Sequence, residues 1–349
     1  MPARPKQQHF VTKAYLDGFL EPDSTQLYCY GRGRPAAFFR ATQDLALQRN
    51  YYSSKRRDGS WDDSLEQRIQ KDIEDPGIAV LRLLAAGNRR LNWLQRDRLC
   101  LFVAVQRFRV PHMRQLIDSE NESLINFWRS EFDRIEKEIG KEPEEIIAGV
   151  ASGLRPGKRH ETTITKTDVE RLAKEHESDP AMFSREYFMK IAAKFAQIFR
   201  YMKWTVYYAK APNSFITSDC PAAMAFGRND LDVVAIVRAD CRIIFPLSRT
   251  SVLVMEHDNA LMAKLNRIGQ GSKARKLLSR SPEIRMANAA PKDVALFNQM
   301  HADQASRWIY AGQPNDWLIP RLQRGTTNVR QVVTKISRNV SMVSAVSGK

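Results

Sequence analysis

Six side chains have the types that move protons or hold phosphate: His9, Glu66, Gln106, Arg107, Ser218 and Asp219. His9 titrates near neutrality, which suits a general acid or base. Asp219 closes Ser214-Phe-Ile-Thr-Ser-Asp-Cys-Pro221, a β-prone run that stops abruptly. Side chains at the end of a rigid strand project into whatever cleft lies beyond it. Paired with Glu66, a carboxylate there would hold Mg²⁺ or Mn²⁺, the ion that phosphodiester cleavage uses to orient water and offset charge. Each residue also has a plainer reading. A lone histidine at a helix start is more often a capping or hydrogen-bonding group, and Asp62, Glu66 and Gln70 are what any solvated first turn contains.

These residues need elements to carry them. The run His9 to Phe19 has apolar residues at helical spacing and reads as a short docking helix with His9 at its start. Gln26 to Tyr30 and Phe38-Phe39 read as a β-hairpin around Gly31-Arg-Gly-Arg-Pro35, whose Arg32 and Arg34 either touch phosphate or sit in a solvated turn. A turn signal at Arg56 to Gly59 precedes a helix from Ser60, capped by Ser60 or Asp62 and broken at Pro76-Gly77. Asn92 to Ile117 is the most apolar helix, with Leu94, Leu101, Phe102, Val105 and Phe108 as its stripe; Gln106-Arg107-Phe108-Arg109 emerges from it, and Pro111 kinks or ends it. A buried guanidinium there requires a partner, and Asp219 or the Asp62/Glu66 face are the candidates.

Downstream, Leu124 to Ile139 reads as an acidic outer helix, residues 153–165 as a hinge, and Thr167 to His176 as a polar helix. A core helix opens at Asp179-Pro180, with Phe188, Ile191, Phe195, Ile198 and Met202 inward. Short β-prone runs follow at 204–208, 215–217, 233–237, 242–245 and 251–254, close enough together for a central antiparallel sheet. A helix from Asn259 to Leu278, a strand at Ile284 to Met286 and a helix from Pro291 to Ala311 complete the body. The fold expected is α+β and predominantly helical, with a sheet over about 204–256 and a small N-terminal hairpin. It forms one domain over 1–325 with a basic, flexible tail at 326–349.

Composition narrows the classes. The 349 residues carry a net charge of +16, with acids concentrated in Asp118 to Glu145 and bases in Lys264 to Lys292 and beyond Arg321. A segregated basic field attracts polyanions, above all DNA or RNA. Four well-separated cysteines, Cys29, Cys100, Cys220 and Cys241, read as reduced and mostly buried. No apolar run reaches the roughly 20 residues of a membrane span, and Met1 to Gln8 lacks a signal-peptide core, so a cytoplasmic location without membrane partners is expected. No Walker loop, GxGxxG after a strand, GxSxG elbow or HExxH is present.

Four motifs in order carry a resemblance. Gln8-His9-Phe10-Val11 followed by Tyr15-Leu16 and Phe19, then Val105-Gln106-Arg107-Phe108-Arg109-Val110-Pro111, then Phe215-Ile-Thr-Ser-Asp219 with Pro221, and Phe245-Pro246-Leu247-Ser248 together resemble the family called domain of unknown function 4238. The likeness spans roughly residues 7–311. Members often read His-Tyr-x-Pro and Ser-Asp-Asn-Pro, where this chain has Phe10, Thr12 and Cys220. The resemblance implies an architecture and brings no activity with it.

Two function classes remain. One is a nucleic-acid-binding protein, extended to a metal-dependent nuclease of toxin or antiphage-defence type. In that reading His9, Gln106, Arg107, Ser218 and Asp219 are catalytic, and Asp219 with Glu66 holds the metal. The other is a non-catalytic interaction or ligand-sensing module, in which the same side chains form a buried structural network.

Overall fold

The computed structural model describes residues 7–55, 61–115, 180–225, 240–258 and 283–323, with scattered positions between 118 and 177. The turn at 56–59, the hinge at 153–165, the strand at 233–237, the helix at 259–278 and the tail at 326–349 lie outside the described residues, as does most of the acidic stretch. The chain divides into one unit made of residues up to Val110 with those from Ile191 onward, and a second spanning Pro111–Lys190. Every site considered below belongs to the first.

That unit is α+β. Strand β1 (Gln7–His9) pairs antiparallel with β4 (Leu47–Arg49). The ladder continues through Phe10, whose N–H donates to Ala46 O at 2.9 Å, so His9 ends a strand and does not open a helix. Helix α1 (Lys13–Leu16) starts only after Thr12, which has extended φ −63° and ψ 138°, and runs into a 3₁₀ turn at Asp17–Phe19. The apolar spacing of Tyr15, Leu16 and Phe19 nevertheless does what its pattern requires, since all three are buried.

Strands β2 (Gln26–Gly31) and β3 (Phe38–Ala41) form the expected hairpin, with Gln26 opposite Ala41 and Cys29 opposite Phe38. The other edge of β2 pairs with β13 (Trp308–Ala311), outside which lies β8 (Thr217–Ser218). Two expectations are corrected here. The run at 215–217 joins this sheet, not the later one, and the helix expected to reach Ala311 stops at Gln304 so that its last residues become β13.

A second sheet contains β7 (Lys203–Tyr208), β9 (Ala223–Ala225), β10 (Arg242–Ser248), β11 (Ser251–Glu256) and β12 (Arg285–Asn288), in the order β12-β7-β11-β10-β9. Its neighbours within 203–256 are antiparallel, whereas β12 pairs parallel to β7, so the sheet is mixed. Tyr15 joins the two sheets. Its hydroxyl lies 2.9 Å from Thr217 Oγ1 and donates to Pro246 O at 2.9 Å, while its ring stacks on Phe245 at 5.2 Å between centroids.

Strands β5 (Ser54–Lys55) and β6 (Trp61–Asp62) pair just ahead of α2 (Ser64–Ile69). The helical run then passes through a π turn at Gln70–Glu74 into α3 (Asp75–Ala85) without the break expected at Pro76-Gly77. Pro76 directly follows the π turn, where the regular i→i−4 ladder is already interrupted, so the continuous helix accommodates its missing N–H there. Gly77 has a packing reason: a Cβ there would lie 2.4 Å from Phe102 Cβ, so glycine lets α3 touch α4 (Trp93–Phe108). Asn92 caps α4 in a reciprocal box with Gln95, each side chain 2.9 Å from the other's N–H. From Phe102 to Phe108 α4 is buried on every side, but Leu94, expected in its stripe, is exposed. Helix α5 (Pro180–Tyr201) begins at the proline as expected, and α6 (Pro291–Gln304) and α7 (Leu318–Gln323) flank the first sheet. All four cysteines are free and buried, and no described helix is long and apolar enough to cross a membrane.

Candidate functional site

The residues picked out by type fall into two regions. The first is a pocket of about 320 Å³ lined by His9, Thr12, Lys13, Asp17, Glu66 and Glu74, among others. Strand alternation sends Gln8 and His9 to opposite sides of β1. Gln8 is fully buried: its amide nitrogen donates to Ser53 Oγ at 2.8 Å and Glu66 Oε2 at 2.7 Å, while its oxygen accepts from Tyr52 N–H at 2.6 Å. Gln8 therefore fixes β1 against the start of α2 and holds one edge of the pocket. His9 stands on the pocket side with its Nε2 buried and without a hydrogen-bond partner. Burial holds its pKa below the usual 6.5, Glu74 opposes that, and Arg109 adds to it. The imidazole is neutral at pH 7, and its Nε2 is closed off from solvent. Behind it the buried Arg109 guanidinium pairs with Glu74.

The lining contains the carboxylates Asp17, Glu66, Glu74 and Asp75 against the single ammonium of Lys13, which is 2.7 Å from Asp17. Such a balance repels phosphate.

The second region lies under β8. Asp219 is 4 % exposed and accepts from three consecutive backbone N–H groups: Ser306 at 2.8 Å, Arg307 at 2.7 Å and Trp308 at 3.0 Å. Its own N–H donates to Trp308 O at 2.9 Å. Arg32 reaches the same turn, donating to Ala305 O at 2.8 Å and to Ala302 O and Asp303 O at 3.3 Å, so it caps the C-terminus of α6. These two side chains end the helix and start β13. Burial pushes the Asp219 carboxyl up to about 6, against the pull of those three N–H groups and Arg32.

The remaining residues complete the network. Ser218 Oγ lies 3.2 Å from His301 Nε2 and 3.0 Å from Cys220 N, and Arg107 Nη1 donates to Cys220 Sγ and Ala222 O at 3.2 Å and to Gln304 Oε1 at 3.3 Å.

The expected centre is thus divided. His9 and Glu66 share the pocket, Arg107, Ser218 and Asp219 share the buried network, and Gln106 is buried on α4 with no partner for either amide atom. Asp219 and Glu66 do not face one another: both oxygens of Asp219 are occupied by backbone N–H groups, and Glu66 accepts from Gln8. Among the described residues, no group of three or more His, Cys, Asp or Glu side chains is arranged to hold a metal ion. The partner expected for Arg107, a carboxylate, is instead a carbonyl, a thiol and an amide; the carboxylate serves Arg109.

A third feature was not singled out by spacing. At the hairpin end of the first sheet, the guanidinium carbon of Arg34 lies 5.1 Å from the ring centroids of both Phe38 and Trp308, that of Arg307 lies 5.1 Å from Trp308, and that of Arg40 lies 5.9 Å from Phe38. All three arginines are exposed, and none makes an ion pair among the described residues. The available signal was Gly31-Arg-Gly-Arg-Pro35, but its two arginines point to different tasks. Arg32 is taken up by the α6 cap and only Arg34 faces outward.

The family model described as protein of unknown function (DUF4238) matches residues 7–315, and the chain belongs to that family. The match covers the pocket, the buried network and the arginine edge. No curated protein and no solved structure gives a significant match.

Proposed function

We propose that this protein binds nucleic acid, through the edge formed by Arg34, Arg40 and Arg307 over Phe38 and Trp308. The observation that carries this reading is that these guanidiniums lie over aromatic rings and have no carboxylate partner among the described residues. A guanidinium held within about 6 Å of an aromatic ring by cation–π attraction can still turn N–H groups to phosphate oxygens. The net charge of +16 supplies the long-range attraction. The nuclease extension has less support, because among the described residues no group of three or more His, Cys, Asp or Glu is arranged to hold a metal and the expected Asp219–Glu66 pair is divided between two regions.

Fluorescence anisotropy with labelled single-stranded DNA and RNA tests the reading. Binding should weaken steeply with salt, and Arg34→Ala/Arg40→Ala/Arg307→Ala should reduce the log–log slope by roughly 2, since each lost single-strand phosphate contact removes about 0.7. A slope unchanged in the triple variant would remove this edge as the interface, and no binding at low salt would remove the function.

A further inference from the structure

A second cavity, of about 370 Å³, lies away from both regions described above, between the turn at 212–214, the start of α6 and the segment that follows β13. Side-chain amides dominate its polar lining: Asn213, Asn298, Gln299, Gln313 and Asn315, with Trp317 beside them. Its volume falls in the ~300–1,000 Å³ range of small-molecule sites. The walls are fixed by hydrogen bonds within the fold. Asn298 is clamped between Ile216 N at 3.1 Å and Ser214 O at 2.9 Å, and Asn315 N donates to Tyr30 Oη at 2.5 Å.

Three properties define a ligand. First, the lining is electrically neutral: Arg321 is its one charged residue, and that guanidinium makes a two-point bond to Asp303 at 2.7 and 2.6 Å. In a chain of +16 net charge, a cavity without free charge selects for a neutral guest. Second, Trp317 is 41 % exposed although its Nε1 is fixed to Asn315 Oδ1 at 3.1 Å, so the indole is anchored at one edge and its surface is open to stacking. Third, hydrogen-bonding capacity of both signs is left over: Gln313 uses its oxygen to accept from Ser214 Oγ at 3.4 Å and keeps its NH₂, while Asn213 directs its NH₂ to Lys210 O at 3.4 Å and keeps its oxygen.

A neutral, flat ring with donors and acceptors around its edge is a nucleobase. Asparagine and glutamine amides match base edges by offering a donor and an acceptor together, and aromatic rings stack on unpaired bases at about 1–3 kcal/mol each. We infer that this cavity receives an unpaired nucleobase, which makes the nucleic acid bound by the protein single-stranded or locally opened. This rests on the nucleic-acid reading above for its biological meaning, but the cavity chemistry stands on its own residues. Arg307 and Gln313 are six residues apart along the extended β13 segment, at most about 20 Å, so one strand of a few nucleotides can span edge and cavity.

Saturation-transfer NMR with adenosine, guanosine, cytidine and uridine tests the cavity without any phosphate present, with glucose and an oligoproline peptide as controls. At least one nucleoside should receive saturation at its base protons, lost in Trp317→Ala and in Gln313→Ala but kept in the triple arginine variant. In anisotropy, Trp317→Ala should weaken single-strand binding about tenfold, as expected for the loss of one stacked base, while leaving the salt slope unchanged. Circular dichroism checks that each variant is folded. Saturation of no nucleoside, equal saturation in Trp317→Ala, or a response only to glucose or peptide would each overturn the inference. Nucleoside binding without oligonucleotide binding would instead overturn the nucleic-acid reading and leave the cavity assignment in place.

Discussion

The pocket beside His9 and the network around Asp219 draw on the same stock of polar side chains and use it in opposite ways. In the pocket, carboxylates, an ammonium and an imidazole line an open concavity, and His9 keeps a nitrogen without a partner. Under β8, a single carboxylate is consumed by three backbone N–H groups and shielded from solvent. The first arrangement pairs side chain with side chain around a concavity, Asp17 with Lys13 and Thr42 and Glu66 with Gln8; the second uses the backbone to stop a helix and begin a strand. A side chain's role is set by which of its hydrogen-bonding positions the fold has taken, and by whether side chains or backbone take them.

Removing Asp219 gives the largest expected effect. Asp219→Ala removes the acceptor of three part-buried backbone N–H groups, where a hydrogen bond to a charged group is worth about 1.5–3 kcal/mol, and frees the turn that sets β13. Urea denaturation should show a loss of at least about 3 kcal/mol, with loss of the native fold as the extreme. If Asp219→Ala were no more destabilising than His9→Ala, the contrast between the regions would collapse. Arg32→Ala should cost about 1–2 kcal/mol, because the C-terminal carbonyls of α6 lose a charged cap but gain access to water. It should also lower the helical signal near the β13 junction in hydrogen exchange.

The pH dependence of stability separates the two titrating groups of the buried network. Asp219, raised by burial from 3.8 to about 6, contributes stability that is full below 3.8 and lost as pH rises through 6. His301, lowered by burial and by Arg107 from 6.5 to about 3, contributes stability that is full above 6.5 and lost as pH falls toward 3. Between about 6 and 4 the two oppose each other and nearly cancel, because each exchanges about one proton; the wider displacement of the histidine shows below about 4, where Asp219 no longer contributes a slope. The urea midpoint should therefore change little from pH 6 to 4 and fall as the pH drops below about 4, whereas in His301→Gln it should rise on acidification from 6 to 4.

How much of this was readable in advance follows from where each signal lies. Local patterns identified the β2–β3 hairpin, the β10–β11 hairpin, the proline-led α5 and the buried α4, because turn residues and periodicity act within a few positions of themselves. The end of α6 was not readable. Nothing in Ala305-Ser306-Arg307-Trp308 forbids a helix; what ends it is a carboxylate 87 to 89 residues earlier in the chain and a guanidinium 270 or more residues earlier. His9 was assigned to a helix because apolar spacing continued through it, yet Phe10 is held by Ala46 in a strand ladder. The structure divides the candidate site residues between two regions, and that grouping depends on contacts of the same long range. Sequence placed Arg32 and Arg34 together on one loop; only the fold distinguishes the helix cap from the exposed cation.

The smallest effect is the most specific to the pocket. His9 is held below its usual 6.5 first by burial, with Glu74 raising it and Arg109 lowering it. Its folded pKa is depressed, so its contribution to stability is full above 6.5 and fades as pH falls. NMR titration of the His9 imidazole should give a midpoint below 6.5. Glu74→Gln removes the nearest stabilising anion, leaves Arg109 beside the ring, and should move that midpoint further down. A midpoint that rises in Glu74→Gln would mean that burial and the Arg109 charge are relieved by rearrangement of the pocket, which would no longer be a fixed concavity set against a fixed network. His9→Ala itself should alter stability by about 1 kcal/mol or less, because no hydrogen bond at Nε2 is lost. Against the loss expected for Asp219→Ala, that small cost measures the difference between a ring nitrogen without a partner and a carboxylate that holds three backbone N–H groups.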